Sequence, residues 1–113
     1  IDIKKKILVT DEEVPEGLKI VIYRILQEAL NNAAKHSKAK LVSVSLFRGD
    51  ARLIFSVKDD GDGFDLQAVL KRNDLTSGLG LGGMRERAQL SGGHFNIEAS
   101  PGKGTSIEAF WPF

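Results

Sequence analysis

The chain has 113 residues, no cysteine, and a net charge of +1 that arises from 16 basic and 15 acidic residues scattered along it. Disulfides and cysteine-ligated zinc are thereby excluded, and the balanced charge gives no electrostatic basis for binding nucleic acid or for direct membrane contact. No apolar run approaches the roughly 20 residues that span a bilayer, and no signal-peptide pattern opens the chain. We therefore expect a single cytoplasmic domain over residues 1–113, a fragment of a longer protein that is compatible with a membrane anchor further upstream.

The first half of the chain predicts a strand, a long helix and a hairpin. A short apolar segment comes first, and Pro15 then suits the first turn of a helix, where a missing N–H costs little. Apolar residues at helical spacing continue that helix for about six turns. Two further segments alternate with period two around a turn, as half-buried hairpin strands do. The predicted elements are a strand over 3–9, a helix from Pro15 to near Ser37, strands over 41–47 and 52–57, and a turn at 48–50.

The second half predicts a loop, a helix and a second hairpin. The polar stretch after the first hairpin lacks a sustained period, and the segment 91–93 is a typical glycine stop for a helix. This order of elements predicts an α+β fold, a two-layer sandwich with helices on one face of a mixed, mostly antiparallel sheet. The predicted elements are a mobile loop over 65–77 with a candidate helical turn at Leu66 to Leu70, a helix over 83–90, and strands over 94–98 and 105–110 around a turn at 101–104.

A polar stripe on the long helix is the first candidate site. Glu28, Asn32 and Lys35 stand at i, i+4 and i+7 and therefore share one narrow face. Asparagine is a poor residue for a helix interior, so its presence among good helix formers favours a functional role. Its amide oxygen suits Mg²⁺, which also takes phosphate oxygens and keeps several waters. The stripe can hold a metal-bound triphosphate, with Glu28 as a base, as an orienting group for a nucleophile, or as an organiser of the metal's waters.

The segment DDGDGF, residues 59–64, directly follows a predicted strand and is the second candidate. Asp and Gly in this order are also typical of an ordinary turn. In the functional interpretation, Asp59 accepts a hydrogen bond from the amino group of adenine, while Gly61 and Gly63 let the backbone pass close to the ring. A calcium loop is excluded, because it needs a longer alternating series closed by a glutamate.

The glycine-rich segment 78–84, GLGLGGM, stands before the second helix and predicts a phosphate cradle made of backbone N–H groups and the positive end of the helix dipole. A dinucleotide site is the alternative, since Gly78, Gly80 and Gly83 fit GxGxxG and Glu98 follows 20 residues after the first glycine. That pattern must follow a buried strand within a βαβ unit. Neither is predicted here, so the dinucleotide interpretation is rejected.

The segment GKGT, residues 102–105, has the ending of a P-loop, but the glycine required upstream falls at Ile97. A P-loop is therefore rejected. Thr105 instead starts a strand from which its hydroxyl can hydrogen-bond near the adenine. An ordinary hairpin residue is the alternative for this position.

Taken in order, QEALNNAAKH, DDGDGF, GLGLGGMRER and GKGT resemble the N, G1, G2 and closing Gly-Thr motifs of the catalytic and ATP-binding domain of sensor histidine kinases, within the GHKL ATPase superfamily. The similarity extends from about Leu18 to the end of the chain. The GMRER sequence, the glutamate at position 28 and a short lid resemble the subfamily whose partners are nitrate-response or LuxR-type regulators. A phenylalanine-rich motif before the lid and a phosphoacceptor segment are both missing from the sequence.

This resemblance implies a Bergerat fold that binds ATP and Mg²⁺ between the long helix and a lid over residues 65–79. The site residues that it implies are Asn32 at the magnesium, Lys35 and His36 at the nucleotide, Asp59 at the adenine, and Gly80, Leu81 and Gly82 along the phosphates.

The resemblance also implies a mechanism and partners. The domain would donate the γ-phosphate to a histidine on a separate dimerisation and phosphoacceptor domain of the same parent protein, for relay to a response regulator. His36 lies within the ATP motif and His94 heads a strand, so neither suits the acceptor role. A GHKL-type ATP hydrolase and an anti-sigma-factor serine kinase are the alternatives. A non-catalytic nucleotide-binding module would lack Glu28 or Asn32, and both are present.

Overall fold

Three helices and five strands make up the part of the chain that the computed structural model describes, residues 1–71 and 80–112. A short 3-10 turn, Asp11–Glu13, precedes the first helix. The helices are α1 (Glu16–Lys35), α2 (Leu66–Lys71) and α3 (Leu81–Leu90), and the strands are β1 (Asp2–Ile7), β2 (Leu41–Gly49), β3 (Arg52–Asp59), β4 (His94–Ala99) and β5 (Thr105–Pro112).

The strands form one sheet in the order β1-β2-β3-β5-β4. Strand β1 pairs with β2 in parallel, and the other three pairings are antiparallel. The helices cover one face of this sheet, so the structure confirms the predicted two-layer α+β sandwich. The parallel pairing makes the sheet mixed, as predicted, but the partner of β1 was not predicted, because nothing in the first ten residues indicates which strand they join.

The core lies between the helices and the alternating residues of the central strands. Strand β3 buries every second residue, from Leu53 to Val57, and β5 does the same from Ile107 to Trp111. Helix α1 supplies a stripe that includes Ile25, which is fully buried. Because each element buries one face in this core, its apolar residues recur with the period of a helix or of a strand.

Several predicted boundaries in the first half shift by one or two residues. Strand β1 ends at Ile7 and not at residue 9, and β3 continues from the expected end at Val57 to Asp59. Pro15 lies just before α1 and not within its first turn. Strand β2 continues to Gly49, so the hairpin turn consists of Asp50 and Ala51, with φ angles of 54° and 58°. Two successive positive φ angles give the turn a twist that matches its flanking strands, which is why the strands extend further than their composition indicates.

The second half departs more from the prediction. Residues 66–71 form the helix α2, anchored by the buried Val69, where only one candidate turn within a mobile loop was expected. The remainder of that predicted loop lies outside the described residues. Helix α3 begins at Leu81, two residues before the expected start, because Leu81 is 4% exposed and holds the first turn in the core. The two glycines that follow have low helix propensity, which misplaced the boundary.

Candidate functional site

Asp59 and Thr105 meet at one end of the sheet. They are paired positions at the last residue of β3 and the first residue of β5. Asp59 continues the alternation that buries Phe55 and Val57, so its side chain lies on the helix-covered face, as does that of Thr105 in β5. The structure therefore brings these two predicted site residues together where the apolar core ends.

One oxygen of the Asp59 carboxylate is held by two donors. Its Oδ1 accepts hydrogen bonds from the hydroxyl of Ser37 at 3.0 Å and from the backbone N–H of Gly61 at 2.9 Å. Ser37 is 4% exposed and follows the end of α1. It was not among the predicted site residues, because its sequence position indicated only the end of a helix.

The loop after β3 is closed against two other segments. The N–H of Gly63 donates to the Ser37 hydroxyl at 3.1 Å, and the N–H of Asp62 donates to the Ser37 carbonyl. The carbonyl of Asp62 in turn accepts the N–H of Gly102, from the turn between β4 and β5. Gly61 and Gly63 therefore hold the loop through their N–H groups, which bond Asp59 and Ser37.

Asp60 has a different function from its neighbour. Its Oδ1 accepts the N–H groups of Lys40 and Leu41, both at 2.9 Å, at the start of β2. The backbone N–H groups of Leu41 and Lys40 hold the pKa of the Asp60 carboxyl below its usual value. Asp60 thus ties the two strands of the hairpin together, and Asp59 alone faces the candidate site.

The polar stripe of α1 runs back along the helix, from the end near Ser37 towards Glu28. Asn32 is 8% exposed. Its backbone carbonyl accepts hydrogen bonds from the N–H groups of His36 and Ser37, both at 2.9 Å. Glu28 lies one turn earlier and is half-buried, whereas Lys35 and His36 are exposed at the helix end. The last turns of α1 thus connect Glu28, through Asn32, to the residue that holds Asp59.

Glu28 lies against the start of α3. A Cβ atom at Gly80, which has a φ of 67°, would overlap the Glu28 carboxylate, so the close approach of these segments requires glycine. A pocket of about 120 Å³ opens here, lined by Arg24, Glu28, Gly80, Gly83, Met84 and Arg87. Within the described part of the chain, Arg24, Glu28 and Arg87 form no ion pair with any residue. Glu28 therefore faces a small polar pocket at the junction of α1 and α3.

Leu81 and Gly82, at the start of α3, can contribute backbone groups and not side chains to the site. The Leu81 side chain is part of the core, and Gly82 is the second residue of α3, so both can offer a ligand only their N–H groups at the helix start. Gly78, also predicted as a phosphate contact, lies outside the described residues. The phosphate role of this segment remains a prediction.

The oxygen donors fit magnesium only as an ion held largely by phosphate and water. Within residues 1–71 and 80–112, no group of three or more His, Asp or Glu side chains is arranged to hold a metal. The Asn32 amide and the Glu28 carboxylate, one helical turn apart, are hard oxygen groups of the kind that Mg²⁺ takes alongside phosphate. Asn32 remains the predicted ligand.

The chain matches a known protein family over most of its length. Residues 17–113 match the family described as histidine kinase-, DNA gyrase B-, and HSP90-like ATPases. The chain belongs to this family. An uncharacterized sensor-like histidine kinase of Chloroflexus aurantiacus is 41% identical over 104 residues, which are 89% of the chain and 17% of that protein. The sensor protein VraS of Staphylococcus aureus is 36% identical over an alignment of 118 positions, which covers 99% of the chain and 33% of that protein.

A solved structure agrees with the fold of this ATPase domain. Full-length ShkA, in complex with AMPPNP, matches 99% of the chain and 25% of its own chain with a TM-score of 0.74, at 24% identity. The domain thus spans a third or less of the curated relatives described above. No helix in its described residues is long and apolar enough to cross a membrane. The family prediction is confirmed, while the nitrate-response or LuxR-type subfamily stays a prediction.

The topology of this ATPase domain also bears on the rejected dinucleotide site. The strand that follows α3, β4, pairs antiparallel with β5. A dinucleotide fingerprint needs a βαβ unit with parallel strands. The described structure therefore supports the rejection.

Proposed function

We propose that this domain binds ATP with Mg²⁺ and donates the γ-phosphate to a histidine on a separate helical phosphoacceptor domain of the same parent protein, which passes it to a response regulator. The observation that carries the proposal is the position of α1, whose last turns connect the Asp59 loop to Glu28 and the start of α3. The relatives named as sensor histidine kinases and the AMPPNP complex of ShkA support it. A cytoplasmic location is part of the same proposal, because ATP is the proposed phosphate donor.

In this proposal the adenine binds at the Asp59 end of the site, and the phosphates bind at the start of α3. Asp59 would accept a hydrogen bond from the adenine amino group, and Thr105 is the residue paired with Asp59 in the sheet. The first N–H groups of α3 would receive phosphate oxygens, and Lys35 and His36 would meet the nucleotide from the exposed end of α1. Asn32 would offer its amide oxygen to Mg²⁺, which supplies neutralisation of phosphate charge when bound.

The transfer itself needs a nucleophile from outside the domain. An imidazole nitrogen of the acceptor forms a bond to the γ-phosphorus, the bond from that phosphorus to the bridging oxygen breaks, and ADP leaves with the electron pair. Glu28 would orient the imidazole or accept its proton. Its position in a pocket at the α1–α3 junction suits either role.

Calorimetric titration with ATP, ADP and NAD tests the binding part of this proposal. We expect ATP to bind in a magnesium-dependent manner and ADP to bind as well, with no binding of NAD. Tight NAD binding without detectable ATP binding would contradict the proposal and restore the dinucleotide interpretation.

The Asn32→Ala variant is expected to lose chiefly the magnesium-dependent part of ATP binding, because the amide oxygen is the predicted protein ligand of the ion. Titration of ATP with Mg²⁺ and with EDTA measures that part, and the two affinities should converge in the variant. Asn31→Ala is the matched control, since Asn31 is the half-buried neighbour on the same helix and outside the stripe. An equal loss of affinity with and without magnesium would contradict the assignment.

A further inference from the structure

Ser37 forms hydrogen bonds through its hydroxyl, its carbonyl and its N–H group. Its hydroxyl donates to Asp59 Oδ1 and accepts the N–H of Gly63, at 3.0 and 3.1 Å. Its carbonyl accepts the N–H of Asp62, and its own N–H donates to the carbonyl of Asn32. A buried hydroxyl with both a donor and an acceptor partner has a defined orientation. Ser37 is therefore a fixed point between α1 and the loop after β3.

The loop is pressed closely against this serine. A Cβ atom at Gly61 would overlap the carbonyl oxygen and the hydroxyl of Ser37, so only glycine allows the contact. The same Gly61 donates its N–H to Asp59 Oδ1 at 2.9 Å. Gly61 and Ser37 together thus hold one oxygen of the carboxylate from two directions.

The other carboxylate oxygen has a different status. Within residues 1–71 and 80–112, no group donates a hydrogen bond to Asp59 Oδ2. With Oδ1 bonded to two fixed donors, the rotation of the carboxylate is set, and Oδ2 is the oxygen left to accept a hydrogen bond from a ligand. A carboxylate oriented in advance loses less freedom when it binds a base.

We propose that Ser37 is a positioning residue that sets the base specificity of this domain, by fixing Asp59 so that Oδ2 meets the adenine amino group. This inference rests on the proposed ATP function. The backbone N–H of Ser37 donates to the backbone carbonyl of Asn32, so Ser37 is also attached to the last turn of α1. Without the hydroxyl, the carboxylate turns more freely and distinguishes an amino group from a carbonyl less well.

The test compares ADP with IDP, which carries a carbonyl oxygen where adenine has its amino group, in calorimetric titrations without magnesium. The wild-type chain is expected to prefer ADP. In Ser37→Ala, ADP affinity should fall about tenfold, near the lower limit for a hydrogen bond to a charged group, while IDP affinity changes little. In an Asp59→Ala background, which lacks the carboxylate, Ser37→Ala should have no further effect on the ratio, since Ser37 acts through that carboxylate.

Ser91→Ala is the matched control. The Ser91 hydroxyl also makes several hydrogen bonds, to the Ala88 carbonyl at 2.9 Å and from Trp111 Nε1 at 2.9 Å, but it lies at the other end of α3. Its loss should lower the melting temperature and leave the ADP to IDP ratio unchanged. If Ser37→Ala does not fold, Ser37→Cys carries the test, because a thiol of similar size is only a weak donor.

The outcomes separate the two proposals. A folded Ser37 variant with the wild-type ADP to IDP ratio overturns the positioning role and leaves the ATP function standing. Absence of ADP binding by the wild-type chain overturns the proposed function, and the inference with it. A reduced ratio in Ser37→Ala, with the wild-type ratio in Ser91→Ala, supports both.

Discussion

Asp59→Asn is expected to weaken the binding of both ATP and ADP by about 10- to 150-fold, the range for a lost hydrogen bond to a charged group. The Gly61 N–H can only donate, so the amide oxygen of asparagine must take the place of Oδ1. The amide NH₂ group then replaces Oδ2 and opposes the adenine amino group, donor against donor. The existing bonds to Gly61 and Ser37 persist, so the fold should remain intact.

Calorimetric titration together with thermal unfolding checks this result. Asp60→Asn is the matched control, because Asp60 bonds the N–H groups of Lys40 and Leu41 at the start of β2 and lies outside the proposed site. The control should bind both nucleotides as the wild-type chain does. Comparable losses in the two variants would indicate that the loop matters only for folding, and would remove Asp59 from the adenine site.

Glu28→Gln is expected to reduce phosphotransfer by about 100-fold or more, within the range for a group that moves a proton or orients a nucleophile, and to change ATP binding little. The assay mixes the chain and γ-labelled ATP with the proposed phosphoacceptor segment and measures acid-labile phosphate. Label should appear on that segment. The chain alone should acquire none and should turn over ATP slowly, because it holds no nucleophile in line with the γ-phosphate.

Glu86→Gln, an exposed change on α3, is the control for the transfer assay and should leave the rate unchanged. Equal losses of ATP binding and of transfer in Glu28→Gln would assign Glu28 to nucleotide binding. Label that appears on the chain itself and disappears in His36→Ala would overturn the acceptor in trans. Rapid hydrolysis of ATP without any phosphoprotein would favour the ATP hydrolase alternative.

Local periodicity in the sequence was sufficient to predict much of this domain. Helical spacing placed Glu28 and Asn32 one turn apart on α1, and the period of β3 placed Asp59 at a strand end. Both follow from short-range geometry, 3.6 residues per helical turn and two per strand repeat. The order of elements also predicted the α+β sandwich, because helices and strands with one apolar face must cover each other.

Boundaries and turns were predicted less well, for physical reasons that the structure makes plain. Helix α3 starts at Leu81 because that side chain is buried in the core, although the glycines that follow disfavour helix. The hairpin turn narrows to Asp50 and Ala51 because the register of β2 and β3 pairs Gly49 with Arg52. In both places tertiary packing outweighs local propensity.

Local pattern is therefore enough to predict the fold class, the α1 stripe and the strand-end position of Asp59. The contacts between residues of distant segments depend on the packing of the whole domain. Ser37 and Asp59 are 22 positions apart, and Gly80 lies 52 positions after Glu28. Their contacts depend on how α1 and α3 pack on a sheet whose strand order departs from chain order, and a local pattern carries no information about such packing.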